Sequence, residues 1–182
     1  MVRDGSEPRV VPASDRLRTA VPVQALIGFA LITAAVSWVL QVYPALTRRR
    51  ALAVRLSLLR RVDTLGRVAD PQSDVAAALL QDLAVGLVQL RVDLTQYAET
   101  YYFRDGDADA SLPAMLGVVL DLSEQARRAP GADTRYAGEL LATAVGDYLF
   151  VVNEHFLRIG GCIRAIASAY AHDHGQEVAG AR

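Results

Sequence analysis

The sequence is poor in several residue types on which other classes of protein depend. A single cysteine, Cys162, stands among 182 residues, so the chain forms no internal disulfide. Lysine is absent and all 19 basic residues are arginine, which together with abundant alanine, valine and leucine indicates a GC-rich bacterial coding sequence. A formal net charge of −1 lacks the basic excess of nucleic-acid-binding domains, so we expect no nucleic-acid partner.

Motifs that carry catalysis are also missing. The sequence contains no Walker loop, dinucleotide fingerprint, zinc-type Cys/His pair or nucleophile elbow. His155 lies on an apolar helical face and is interpreted as a core histidine, whereas His172 and His174 lie in a polar tail. Cys162 on the same apolar face is interpreted as a small buried hydrophobic residue. We therefore predict no catalytic residues, no cofactor, no metal site and no enzymatic activity.

An acidic loop at residues 104–109 resembles part of a calcium site. Asp105, Asp107 and Asp109 alternate around Gly106, as ligands do in calcium-binding loops. Such a loop needs a glutamate at its twelfth position, and counting from Asp105 places Leu116 there. The loop is therefore interpreted as a solvated turn.

Long apolar runs are confined to one place, residues 21–46, which carry no charge. About 20 apolar residues suffice to cross the hydrocarbon core of a bilayer as a helix. A signal peptide would have a shorter apolar core closer to the N-terminus, followed by small residues instead of arginines. We predict a transmembrane helix at 21–46, preceded by a polar segment at 1–20.

The residues that follow and flank this segment suggest its orientation. Trp38 and Tyr43 lie toward its far end, where aromatic rings favour the membrane interface. Arg48, Arg49 and Arg50 come next and are predicted to face lipid headgroups. Because more arginines follow the segment than precede it, the positive-inside rule favours a cytoplasmic C-terminal domain.

Small residues are frequent within the segment, among them Gly28, Thr33 and Ala35. Small residues allow membrane helices to approach each other closely, and Gly28 and Ala35 are places where a helix could bend. Ordinary membrane helices also contain them, so the pattern leaves both interpretations open.

The remaining residues are predicted to be helical, with no alternating strand pattern. A basic juxtamembrane helix is expected at 47–70, a helical domain at 71–172 and a flexible tail at 173–182. Within the domain, helices are expected from Ser73 to about Thr100, from Ser111 onward, and from Asp133 to about Tyr170 with an interruption at 160–161. The predicted fold is all-α: one transmembrane helix followed by a bundle of three to four amphipathic helices. Such apolar faces can also pair between chains, so oligomers are expected.

Residues Val10 to Ala53 resemble the end of a bacterial two-transmembrane potassium channel subunit. The stretch Val10–Ser14 is similar to the segment after the selectivity filter, and Val23–Tyr43 is similar to the pore-lining inner helix. Gly28 is similar in position to the gating-hinge glycine of that family. The stretches 101–104 and 111–113 are similar to the helical cytoplasmic tail of one bacterial branch.

The resemblance implies an ion-transport protein with pore-lining or hinge residues at Gly28, Thr33 and Ala35. The sequence departs from the family because it has Pro8-Arg9 where Gly-Asp would end the filter, and no filter or outer helix precedes it. Since filter carbonyls select the ion, this chain is not expected to conduct alone. The expected partners are the lipid bilayer and either further copies of the chain or an intact channel subunit. The alternative is a single-span, membrane-anchored interaction or regulatory module.

Overall fold

A computed structural model describes residues 15–62, 64–70 and 75–180. The predicted post-filter stretch at 10–14, most of the polar segment at 1–20 and the helix start at Ser73 lie outside these residues. The chain divides into two compact units, one ending at Gln41 and the other beginning at Val42. We call the second unit, residues 42–182, the helical domain.

Most of the described residues are helical and none of them is in a strand, which confirms the all-α class. Turns with 3₁₀ or π geometry connect or extend the α-helices at Ala98–Tyr102, Ala108–Ala110 and Asn153–Leu157. The α-helices are α1 (Asp15–Arg61), α2 (Thr64–Ala69), α3 (Ala76–Gln96), α4 (Leu112–Arg127), α5 (Ala132–Val152) and α6 (Ile163–Asp173).

The core of the helical domain forms where α5 packs against both α3 and α4. The helix expected from Ser73 to about Thr100 is amphipathic, as predicted, because its leucines at 83, 87, 90 and 94 recur on one face and are buried. Helix α4 starts after Ser111, as its sequence predicts, with Pro113 in the first turn, where the missing N–H costs nothing. Its predicted apolar face is buried, and small residues such as Ala114 and Gly117 are buried on its other sides.

The predicted transmembrane segment at 21–46 overlaps the helical domain. Val42 and Ala45 are buried, and their spacing of three residues places them on one face of α1. The exposed apolar part of α1 therefore ends at Gln41, five residues earlier than predicted. We call residues 22–41 the apolar stretch.

The predicted juxtamembrane helix at 47–70 is two helices. Helix α1 continues to Arg61, and the separate helix α2 follows. Leu52, Ala53 and Leu56 belong to the buried core of the helical domain. This part of α1 is therefore a core element, because its leucines recur every turn on one face.

The long fourth helix predicted from Asp133 to Tyr170 is also two helices. Helix α5 ends in the π-helical turn, and Arg158 then takes a left-handed conformation (φ 52°), as does Gly161 (φ 124°). The Asn153 side chain holds the turn, since its amide donates to the carbonyl of Ile159 and its oxygen accepts from the N–H of Ile159, both at 3.0 Å. The helix therefore ends at the π-helical turn and Arg158, before the glycine pair at 160–161.

The predicted flexible tail packs on α4. The N–H of Ala179 donates to the carbonyl of Ala114 at 2.8 Å. At Gly117, a Cβ atom would lie 2.2 Å from the carbonyl oxygen of Ala179, so only glycine permits this approach. The prediction of a flexible tail is corrected as far as residue 179.

Candidate functional site

The apolar stretch is exposed on all sides. Helical residues Pro22–Arg61 contain an 18-residue window with a mean hydropathy of 2.0, and none of that window is buried. Its large side chains exposed to solvent are Val23, Leu26, Ile27, Phe29, Leu31, Ile32, Val36, Trp38, Val39 and Leu40. The described chain thus has one helix that is long and apolar enough to cross a membrane.

The three residues predicted to line a pore or form a hinge lie within this stretch. A Cβ atom added at Gly28 would meet nothing within 4 Å. The Thr33 hydroxyl donates to the carbonyl of Phe29 at 2.9 Å, one turn earlier in the same helix, and Ala35 is exposed. Their proposed roles stay predictions, as do the interfacial positions of Trp38 and Tyr43, which are both exposed.

Arg48 forms a bidentate ion pair with Asp93 in the helical domain. Its Nε and Nη2 donate to the two carboxylate oxygens of Asp93 at 2.8 and 2.7 Å, a bidentate arrangement that fixes both side chains. Asp93 lies on the buried side of α3 and also accepts from the amide of Gln89 at 3.2 Å. Arg48 therefore ties α1 to α3.

Arg49 is buried inside the helical domain, with 6% of its side chain surface exposed. Its Nη1 donates to the carbonyl of Thr100 at 2.6 Å, whereas Nε and Nη2 have no hydrogen-bond partner among the described residues. The prediction is therefore corrected in one respect, since Arg49 is not on the exposed surface of α1 but has its guanidinium group buried in the domain. Three successive helical residues point about 100° apart, so the arginines at 48–50 cannot all face the same way.

Arg50 is exposed and pairs with Asp105 at 3.2 Å. Further along the same helix Arg61 pairs with Asp109, and Asp107 accepts from the N–H of Asp109 at 3.0 Å. The aspartates of the 104–109 loop thus contact arginines of α1 and their own backbone. Among the described residues, no group of three or more His, Cys, Asp or Glu side chains is arranged to hold a metal ion.

A cluster of aromatic rings brings together the buried residues Tyr101, Tyr148 and Tyr170, whose proximity the sequence did not predict. Tyr101 stacks on Phe156 with ring centroids 4.0 Å apart, and its hydroxyl donates to Asp173 at 2.6 Å. The hydroxyls of Tyr148 and Tyr170 lie 3.1 Å apart. Burial raises the pKa of both Tyr148 and Tyr170.

His174 joins this cluster although it was assigned to the tail. Its Nε2 lies 2.6 Å from the carbonyl of Tyr101, and its Nδ1 lies 3.1 Å from the carbonyl of Tyr170. The shorter contact places the proton of the neutral ring on Nε2. Burial lowers the pKa of His174, while the contact with the Tyr101 carbonyl opposes that effect.

Two predictions about the apolar face near residue 160 are wrong. Cys162 is exposed at the residue before α6, not buried. Backbone N–H groups of Ala165 and Arg164 lower the pKa of its thiol. His155 is also exposed, and its Nδ1 lies 3.0 Å from the carbonyl of Val151. Both predictions extended one apolar helical face through residues 155 and 162. Helix α5 instead ends at Val152, so neither residue continues its helical register.

Comparison with known proteins identifies no relative. No family model matches the chain, and no curated protein or solved structure matches it either. The resemblance to two-transmembrane potassium channels therefore stays a prediction.

Proposed function

We propose that this chain is a single-span membrane protein in which the apolar stretch anchors the helical domain, and that the domain acts as an interaction or regulatory module. The observation that supports the membrane anchor is that the apolar stretch is uncharged and exposed all around the helix. A helix that is apolar on every side is stable when it is surrounded by protein or lipid. Within the described chain no protein surrounds it, so lipid is the environment that suits it.

Membrane extraction tests the anchor. We expect the expressed chain to remain in the membrane fraction after alkaline carbonate washing. The double variant Leu31→Arg, Ile32→Arg should move to the soluble or peripheral fraction, because each arginine at the centre of a span costs about 2.5–3.5 kcal/mol.

The matched control is Val88→Arg, which adds a charge at an exposed apolar position of α3. It should leave the chain in the membrane fraction. Recovery of the unmodified chain in the soluble fraction would contradict the proposal.

The orientation of the domain follows from the arginine bias and is tested with the native cysteine. Cys162 is the single cysteine of the chain and is exposed, so it reports on the side of the membrane that holds the domain. For a cytoplasmic domain, a membrane-impermeant maleimide should label it only after the cells are permeabilised. Labelling in intact cells would place the domain outside.

The potassium-channel resemblance supplies the second candidate, a subunit that assembles as a tetramer. The observation favouring it is the open space around Gly28, which leaves room for another helix. Single cysteines placed along positions 27 to 38 in a Cys162→Ser background test it. Cross-linked tetramers would support a shared axis, and recovery of monomers alone would count against one.

A further inference from the structure

A cavity of about 310 Å³ opens beside the first residues of the helical domain. Three arginines, Arg49, Arg50 and Arg104, line it together with one acid, Asp105. Two positive charges are therefore left unbalanced. The volume is at the lower end of the range of ligand pockets, which is about 300–1,000 Å³. The cavity thus suits a small anionic group.

The state of each arginine supports an anion in this position. Arg49 is buried with two guanidinium nitrogens unpartnered, and a buried charged donor without an acceptor is costly. Arg104 is exposed and has no hydrogen bond or ion pair with the described residues. In the described part of the chain, the one ion pair of Arg50 is with Asp105, at 3.2 Å. Planar guanidinium groups match the oxygens of a phosphate, to which they donate in pairs.

The other side chains that line the cavity indicate which kind of molecule would carry such a phosphate group. Tyr43 and Phe103 line it and expose their rings. Tyr43 follows the end of the apolar stretch by two residues. Aromatic rings and basic pockets at the end of a membrane helix occur at the level of lipid headgroups.

We propose that this cavity binds the phosphate group of an anionic phospholipid. The assignment of the phosphate group to a lipid rests on the membrane anchor proposed above. The recognition of a phosphate group by the arginines does not depend on that anchor. Arg104 and Arg50 would meet the phosphate at the open side, and the guanidinium of Arg49 would supply the buried positive charge.

Binding to the full-length chain in detergent micelles tests the proposal. Isothermal titration compares dihexanoyl-phosphatidylglycerol, dihexanoyl-phosphatidylcholine and inorganic phosphate. We expect saturable binding of the anionic lipid and at least about tenfold weaker binding of the zwitterionic one, whose choline opposes the arginines. Arg104→Gln should weaken anionic lipid binding about tenfold, the loss expected for one charge-assisted hydrogen bond.

Arg91→Gln is the matched control, because it removes the same charge from an exposed position of α3 outside the cavity. It should change binding by less than about twofold. Arg49→Gln should abolish binding, but this buried residue also supports the fold, so Arg104→Gln decides the result. The thermal unfolding midpoint of each variant confirms that it is folded.

If the anionic lipid does not bind, or binds Arg104→Gln as tightly as the unmodified chain, the proposed binding site is wrong. Inorganic phosphate binding as tightly as phosphatidylglycerol overturns the lipid assignment and identifies a free phosphate as the ligand. Because micellar binding does not require insertion into a bilayer, these outcomes are separate from failure of the anchor in the carbonate test.

Discussion

The apolar stretch and the helical domain use the same residue types in opposite environments. Leu31 exposes 66% of its surface, whereas Leu116 exposes none. Gly28 has open space around it, and Gly117 lies against the backbone of Ala179. Both leucines and both glycines are helical, so neither residue type nor secondary structure explains the difference. The domain has polar faces and partner helices for its leucines, whereas the stretch has neither among the described residues, which is what the proposed membrane anchor would require.

Replacing one leucine in each region is expected to give the largest difference in the free energy of unfolding. Leu116→Ala should lower the free energy of unfolding of the helical domain by about 2–5 kcal/mol, because it leaves a cavity in the core. Leu31→Ala should lower it by less than about 0.5 kcal/mol, since 66% of the residue's surface is already exposed. Chemical denaturation of the full chain in detergent, followed by circular dichroism, measures both. Equal losses would contradict this difference between the two regions.

The next difference in unfolding free energy is expected between two arginine–aspartate ion pairs, one with a buried aspartate and one with an exposed aspartate. Arg48→Ala should cost about 2 kcal/mol of unfolding free energy, because the buried carboxylate of Asp93 loses a bidentate partner. Arg55→Ala should cost less than about 1 kcal/mol, since its partner Asp82 has 59% of its side chain exposed and needs no ion pair to offset burial. Denaturation under the same conditions compares them. A loss for Arg55→Ala as large as that for Arg48→Ala would refute the ranking.

The two glycines sharpen the comparison further. Gly117→Ala should cost about 1–3 kcal/mol, because the added Cβ displaces Ala179. Gly28→Ala should cause no loss and raise local helix stability by up to about 1 kcal/mol. Hydrogen exchange at the Ala179 amide should accelerate only in the first variant. Loss of oligomers in Gly28→Ala would instead show that a second copy packs there.

The smallest effect is expected from pH. Burial lowers the pKa of His174 in the folded chain, so the unfolded chain, with a pKa near 6.5, binds more protons in this range. The stability contribution is fully present above about pH 6.5 and declines as pH falls toward 5. Unfolding midpoints between pH 7 and pH 5 should fall in the unmodified chain and change less in His174→Gln.

His172→Gln is the control, since His172 is exposed next to the same helix end. It should keep the pH dependence of the unmodified chain. Membrane association should not vary over this range, because the apolar stretch has no titratable residue. An identical pH profile in His174→Gln would show that another group titrates.

The arginine-rich site at the start of the helical domain was partly predictable from the sequence. The arginines at 48–50 stand out in the sequence, and the missing information was which way each one points. A signal was present in Asp93, because an acid on the apolar face of α3 requires a basic partner. Sequence spacing could not identify that partner, which lies 45 residues away.

The sequence by itself determined the all-α class, the apolar stretch and the buried faces of α3 and α4, because these follow from local composition and helical periodicity. Only the tertiary structure decided that Arg49 is buried, that His174 and Ala179 pack into the domain, and that Cys162 is exposed. Each of these depends on contacts between residues far apart in the chain or on the direction of the backbone after a break. Periodicity within one helix carries no information about either.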